Sequence, residues 1–189
     1  MLEDLGFHRI DFGDRLRRLA EKDSSIRGII NGGSVVDDET VIGIMEDLVL
    51  PRKLPNNIVF DGFPRSVGQA RWLVGLMRNN SFKIATANLK IDRELATARI
   101  ADRYKKEGRS DDKPEIVKIR LDKFYNEYGP KVIGHLKYGM LQFIEIDASQ
   151  EPIQVHRLLR SFVVQHMMDK DRVASFFKRP EQDLDPATA

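Results

Sequence analysis

The residues of this chain that could do chemistry are mostly arginines and aspartates placed at turns. In "NNIVFDGFPRSVGQA", residues 56–70, the apolar run Ile58 to Phe60 stops at Asp61, and Arg65 follows across Gly-Phe-Pro. A carboxylate where a buried strand ends can hold Mg²⁺, which takes carboxylate and water oxygens, although a lone aspartate there is more often a solvated turn residue. An arginine fork grips phosphate at two points, although a lone loop arginine is ordinarily surface charge. The pair says more than either residue, because one suits a metal and the other a phosphate. Further along, Arg99 and Arg103 are four apart on one predicted helix and share a face. Two stacked cations repel unless an anion sits between them; the alternative is a solvated face with Asp102 and Glu107 as partners. Arg120 borders an apolar stripe of Val117, Leu121, Phe124 and Tyr128. It either reaches an anion or lies along the stripe with its head in water. His8, His135, His156 and His166 have no metal-ligand spacing, and Lys53, Lys105 and Lys106 read as surface charge.

Short apolar runs and helical patterns alternate along the chain. Strands are predicted at 7–10, 57–60, 83–91 and 141–146. Helices are predicted at 13–22, 24–31, from Asp38 as a cap through "ETVIGIMEDLVL", 66–79, 92–106, 113–128, to about Tyr138, and 151–168, with Gly129-Pro130 as a break. Asp112, with Glu115 three residues later, has the spacing of a capping box. Residues 1–5 read as the last turn of a helix stopped by Gly6. The tail 169–189, charged and with two prolines, reads as loose. Strands alternating with helices argue a parallel sheet covered on both faces. Ligands gather at the carboxyl ends of such strands, and Asp61 stands at one.

The bulk numbers fit one soluble domain. There are 189 residues, 41% apolar and 32% charged, with a formal net charge of +2, too small to argue for nucleic acid. Cysteine is absent, which removes disulfides and thiolate metal sites and makes a reducing cytoplasm the simplest home. No apolar run approaches the roughly 18 residues of a membrane span, and the start has no signal-peptide pattern.

"DGFPR" followed by "QA" resembles the nucleoside monophosphate kinases, most closely the adenylate kinases. "GFHRIDFGDRLR", "NGGSVVDDETV", "ARIADRYKKEGRSDDKPEIVKIRLDKFY" and "IEIDAS" resemble other segments of that family in the same order, so that the match covers about residues 1–165. The resemblance implies a P-loop-kinase-like three-layer α/β/α fold with a parallel sheet of about four strands over residues 1–168. It implies an acceptor-binding part at about 12–50 and a short lid at about 104–112. The reaction implied is reversible phosphoryl transfer from ATP to AMP. Arg17 and Arg65 would hold the acceptor phosphate, and Gln69 would read its base with backbone around Val35 and Val36. Asp61 would order Mg²⁺ through water. Arg99, Arg103, Arg109 and Arg120 would surround the transferred group, and Asp111 and Asp112 would orient the lid. No zinc is expected, since the knot that longer lids carry needs cysteines. The expected state is a cytoplasmic monomer acting on free nucleotides, with neither nucleic acid nor membrane as partner.

Two departures stand out. The family's Gly-x-x-x-x-Gly-Lys loop should precede residue 1, together with the central strand before it, and Gly-Lys occurs nowhere in the chain. That loop cradles donor phosphates with backbone N–H groups. Either the sequence is incomplete, "MLEDLGF" being the tail of the helix after the loop, or the chain is a loop-less relative that binds nucleotide without transfer. Loss of that central strand would leave a gap with two unpaired edges inside the sheet unless the remaining strands close up. A third reading is a nucleic-acid or partner-binding domain using the arginine cluster, for which only Tyr104 is placed to stack. The second departure is Phe12, which stands where the family has a hydroxyl residue. It opens the choice of acceptor base: AMP on the strength of Gln69, or UMP, CMP or a deoxynucleotide.

Overall fold

The computed structural model describes residues 2–49, 57–80, 83–139 and 142–168. Lys53 and the tail 169–189 lie outside the described residues. A short 3-10 turn, Glu3–Leu5, precedes β1 (His8–Asp11). Then come α1 (Phe12–Lys22), α2 (Ser24–Asn31), α3 (Asp38–Val49), β2 (Ile58–Asp61), α4 (Val67–Asn80), β3 (Ala85–Lys90) and α5 (Arg93–Glu107). After a 3-10 turn at Ser110–Asp112 follow α6 (Pro114–Lys123), α7 (Gly129–Gly139), β4 (Gln142–Asp147) and α8 (Pro152–Met167).

Caps set most of these boundaries. Asp11, Asp23 and Asp92 each accept a backbone N–H from the first turn of the helix they precede. Gly108, at φ 64°, ends α5 in the left-handed conformation, with its N–H on the carbonyl of Tyr104. Pro114 and Pro152 open their helices.

Three local expectations are corrected. Asp38 does not cap α3 but is its first residue, and Asp37 caps by accepting from the Thr40 N–H at 2.8 Å. Asp112 does not cap α6 either. Lys113 stands at that position without a side-chain bond, so no capping box forms, and the Asp112 carboxylate points to arginines instead. Gly129-Pro130 does not break the chain into separate helices. One π-helical turn, Phe124–Tyr128, joins α6 to α7, and the Gly129 N–H bonds the Phe124 carbonyl. A Cβ at Gly129 would sit 2.5 Å from that carbonyl oxygen, so the widened turn needs glycine there.

The strands are parallel, as the alternation demands, and they fall into two ladders. β1 pairs with β2, Asp11 opposite Asp61; β3 pairs with β4, Ala85 opposite Gln142. Among the described residues no hydrogen-bonded ladder joins the two sheets. Both faces are nevertheless bridged. Phe60 of β2 and Phe143 of β4 pack on one core built from Phe12, Met45, Ala70, Leu73, Val132 and Leu136. On the other face α8 covers β3 and β4, while its Val163 and Val164 cluster with Leu5, Phe7 and Val59 of β2. Shared cores therefore tie the two ladders together, and among the described residues each strand has one edge without a ladder partner. No residue of β2 or β3 is fully buried, whereas the middle strands of a doubly covered parallel sheet are normally buried along their length. Among the described residues the four strands thus form two separate ladders rather than one continuous sheet.

Candidate functional site

The site lies where β1 and β2 end and the segment from Arg109 to Tyr128 closes over them. Gly62, at φ 78°, turns the chain sharply after Asp61. A Cβ there would lie 2.9 Å from Nη2 of Arg65, so the glycine leaves room for the guanidinium to fold back. Arg65 Nε donates to the Gly62 carbonyl at 2.8 Å. The backbone beyond is held by a buried relay. The Arg65 N–H donates to Gln69 Oε1 at 2.7 Å, Gln69 Nε2 donates to Asp38 Oδ1 at 3.2 Å, and Ser66 Oγ donates to the same Asp38 oxygen. This fixes the fork of Arg65 at the cleft floor. No carboxylate pairs with it among the described residues. The surrounding protein, by desolvation, and the neighbouring Arg120 both work against its charge, while Tyr128, Asp111 and Asp61 favour it. The residue nevertheless keeps contact with solvent, so that cost is small, and an anion in the cleft would favour the charge.

Arg17 reaches the same floor from α1. Gly13 brings the two arginines together, since a Cβ on it would lie 3.3 Å from Arg17 Nη1 and 3.8 Å from Arg65 Nη2. Arg17 is loosely paired, 3.7 Å from Asp14 and 4.0 Å from Asp111.

The roof is built around Asp112, 1% exposed. Arg103 clamps its carboxylate with two bonds, at 2.7 and 2.8 Å, and Arg120 adds a third at 3.1 Å. Burial pushes the carboxyl up; the hydrogen bonds and charges of Arg103 and Arg120 outweigh it and hold the group below the ordinary 3.8. Arg120 also donates to Asp111, at 3.1 Å to its carbonyl and 3.3 Å to its carboxylate. It therefore takes the anion-reaching alternative rather than lying along the stripe. The other carboxylate oxygen of Asp111 is buried without a partner among the described residues. Lys123 Nζ donates to Ser34 Oγ at 2.8 Å, tying α6 to the loop after α2.

Floor and roof enclose a cavity of about 50 Å³ that Val35, Val36, Arg65, Gln69, Asp111 and Arg120 line, with Phe12 and Tyr128 as its aromatic walls. Small-molecule sites run from roughly 300 Å³ upward, so the roof must move to admit a nucleotide, while Arg65 stays exposed at the cavity's edge. The remaining arginines stand outside this cavity. Arg99 donates to the Ala148 carbonyl at 2.7 Å, beyond β4. Arg109 pairs with Glu107 at 2.5 Å. Arg99 and Arg103 thus each have their own acceptor, and neither uses Asp102, which pairs with Lys105 at 3.6 Å.

Asp61 has a partner that sequence reasoning missed. Arg9 of β1 donates to its Oδ2 from Nε at 3.1 Å and Nη2 at 2.6 Å, and reaches Asp11 at 3.2 Å. The signal was available: parallel pairing of "HRID" with "IVFD" sets Arg9 one pleat before two facing aspartates. Tyr128 was read only as core. Among the described residues no group of three or more His, Asp or Glu could hold a metal, and no helix is long and apolar enough to cross a membrane.

Parallel strands ending in an arginine-lined cleft beneath a narrow roof define an α/β protein whose cleft suits an anionic ligand. Comparison with known proteins makes this specific. The family model described as adenylate kinase matches residues 1–140. An adenylate kinase of Caulobacter sp. (strain K31) is 30% identical over 158 residues, 81% of this chain and 84% of the relative. One of Porphyromonas gingivalis (strain ATCC BAA-308 / W83) is 33% identical over 137 residues, covering 70% and 71%. One of Hyphomonas neptunium is 30% identical, covering 78% and 79%. The chain belongs to the adenylate kinase family, which is a family of nucleoside monophosphate kinases.

Proposed function

We propose that this protein binds a nucleoside monophosphate, best AMP, in the cleft above Gly13 and Gly62, and passes a phosphoryl group between it and ATP. The observation that carries the reading is Arg65, fixed by its own turn and by the Gln69–Asp38 relay, with no carboxylate paired to it among the described residues. Arg17 shares the acceptor phosphate. Val35 and Val36 flank the base and Gln69 reads it through the second hydrogen of Nε2, the first being held by Asp38. Phe12 narrows the base pocket.

Phosphoryl transfer spreads charge over three equatorial oxygens and needs surrounding cations rather than a covalent intermediate. Arg120, Arg103, Arg99 and Arg109 supply them once the roof rearranges around ligand: Arg103 and Arg120 exchange Asp112 and Asp111 for phosphate, while Arg99 leaves the Ala148 carbonyl and Arg109 leaves Glu107. Mg²⁺ neutralises phosphate charge when bound. Asp61 fits it at the strand end, provided the carboxylate shares itself between Arg9 and the ion's water. The closed roof keeps water from the transferred group. We place the protein in the cytoplasm, as a monomer on free nucleotides.

A second reading has its own support. Arg103 and Arg120, the cations nearest the site of transfer, are already neutralised by Asp112 and Asp111. This favours a protein that binds the acceptor at Arg65 and transfers slowly or not at all. An assay of ADP formation from ATP, AMP and Mg²⁺, beside AMP titration calorimetry, separates the two. Turnover with AMP binding supports the kinase, binding without turnover the binding protein. No AMP binding overturns both.

A further inference from the structure

Away from the cleft, α4 and α7 flank an open groove of about 370 Å³. Arg71 and Arg78 of α4 are seven apart, two helical turns, and face one way. Gly75 lies between them, and a Cβ there would meet nothing within 4 Å, so the floor between the two guanidiniums is clear. From α7 the groove takes His135 and Tyr138. Gly139 sets the helices close, since a Cβ on it would be 2.8 Å from Val74. Both arginines are exposed, and Tyr138 is 91% exposed, a large ring left in water. Among the described residues no hydrogen bond or ion pair engages Arg71, Arg78, His135 or Tyr138. Elsewhere arginines usually find acceptors: Arg27, Arg93, Arg99, Arg103 and Arg120 all have one.

We propose that this groove is a second ligand site, for a nucleoside di- or triphosphate, separate from the catalytic cleft. The charge calls for an anion, and two forks a helical span apart suit a chain of phosphates better than one. The free ring of Tyr138 supplies a face on which a base stacks, and an arginine beside it adds a cation–π contribution. The volume is that of a small-molecule site rather than a polymer track, for which successive aromatic platforms are needed. A bare polyphosphate would use only the arginines, which makes Tyr138 the discriminating residue.

The test is a titration of the full chain with ADP, followed through the backbone amide resonances of Gly75 and Gly139. It is done in the native protein and in Arg65→Ala, which disables the proposed acceptor site. Both proteins are expected to show saturable shifts at these two glycines. Arg71→Gln/Arg78→Gln, changes at exposed positions, is expected to weaken binding there about tenfold or more. Tyr138→Ala is expected to weaken ADP about fivefold and leave pyrophosphate unchanged. The proposal is overturned if ADP moves neither glycine. It is overturned equally if pyrophosphate binds as well as ADP and Tyr138→Ala changes nothing, or if only single-stranded RNA shifts these resonances.

Discussion

The floor and the roof of the cleft both present arginines, but they hold them differently. Arg65, on the floor, is fixed by a backbone carbonyl and a buried amide relay and pairs with no carboxylate among the described residues. Arg103 and Arg120, in the roof, are already neutralised by Asp112 and Asp111. A cation without a counter-ion is ready for a ligand. A paired cation is a strut, and must release one anion before taking another. The floor is thus built for binding and the roof for holding a shape that can be exchanged.

The largest expected effect breaks the roof. Asp112→Ala leaves two guanidiniums without their shared acceptor and should cost about 2–3 kcal/mol of unfolding free energy, less than a fully buried pair because Arg103 and Arg120 keep some solvent. Urea unfolding measures it, with Asp102→Ala, which breaks an exposed pair on α5 beside Arg103, as the control that should hardly move. If both variants unfold alike, Asp112 is no strut. The same carboxylate gives a pH signature. Its folded pKa is depressed, so its stabilisation is complete above the unfolded value of 3.8 and is lost as pH falls through and below it. Acid unfolding of Asp112→Ala should therefore be shallower than that of the native protein below about pH 4. Equal slopes would assign the acid sensitivity to other depressed carboxylates, such as Asp11, Asp37 and Asp147.

Next in size is the floor. Arg65→Ala should lower AMP affinity between about tenfold and a hundredfold, the range for a charge-assisted bond to phosphate, and leave the urea midpoint nearly unchanged. This is the reverse of the pattern for Asp112. Unchanged AMP affinity by calorimetry would remove Arg65 from the acceptor site. A large loss of stability would mean that it too is a strut.

How far this was legible in the sequence follows from the same contrast. The floor depends on local spacing: strand, Asp61, Gly62, Arg65, then Gln69 one turn into a helix. All of that is readable in order, and so were the parallel strands and most helix limits. The roof depends on where partners go. Asp112 had the position of a helix cap, and nothing local says that its carboxylate is claimed by an arginine nine residues earlier and another eight later. The same blindness hid Arg9, since a cross-strand partner 52 residues away is set by register rather than by neighbours. Gly129 was read by its usual role as a breaker, and only the packing against Phe124 turns it into the hinge of a π-turn.

The smallest expected effect tests whether the floor has a strut of its own. Arg9 and Asp61 are each about half exposed, so their pair is worth little to stability. Its consequence is competition: while both donors of Arg9 sit on Asp61 Oδ2, a hydrated cation must displace them or share the carboxylate. Arg9→Gln should therefore strengthen the Mg²⁺ dependence of ADP binding by about two- to threefold, as calorimetry at graded Mg²⁺ would show, with Asp61→Asn moving it the opposite way. If Arg9→Gln changes nothing while Asp61→Asn weakens the Mg²⁺ effect, carboxylate and ion coexist with Arg9 in place. If neither variant alters the dependence, Asp61 is a turn residue bound to Arg9. The floor's ligand-facing charges are then Arg65 and Arg17 alone, and Mg²⁺ must be bound elsewhere.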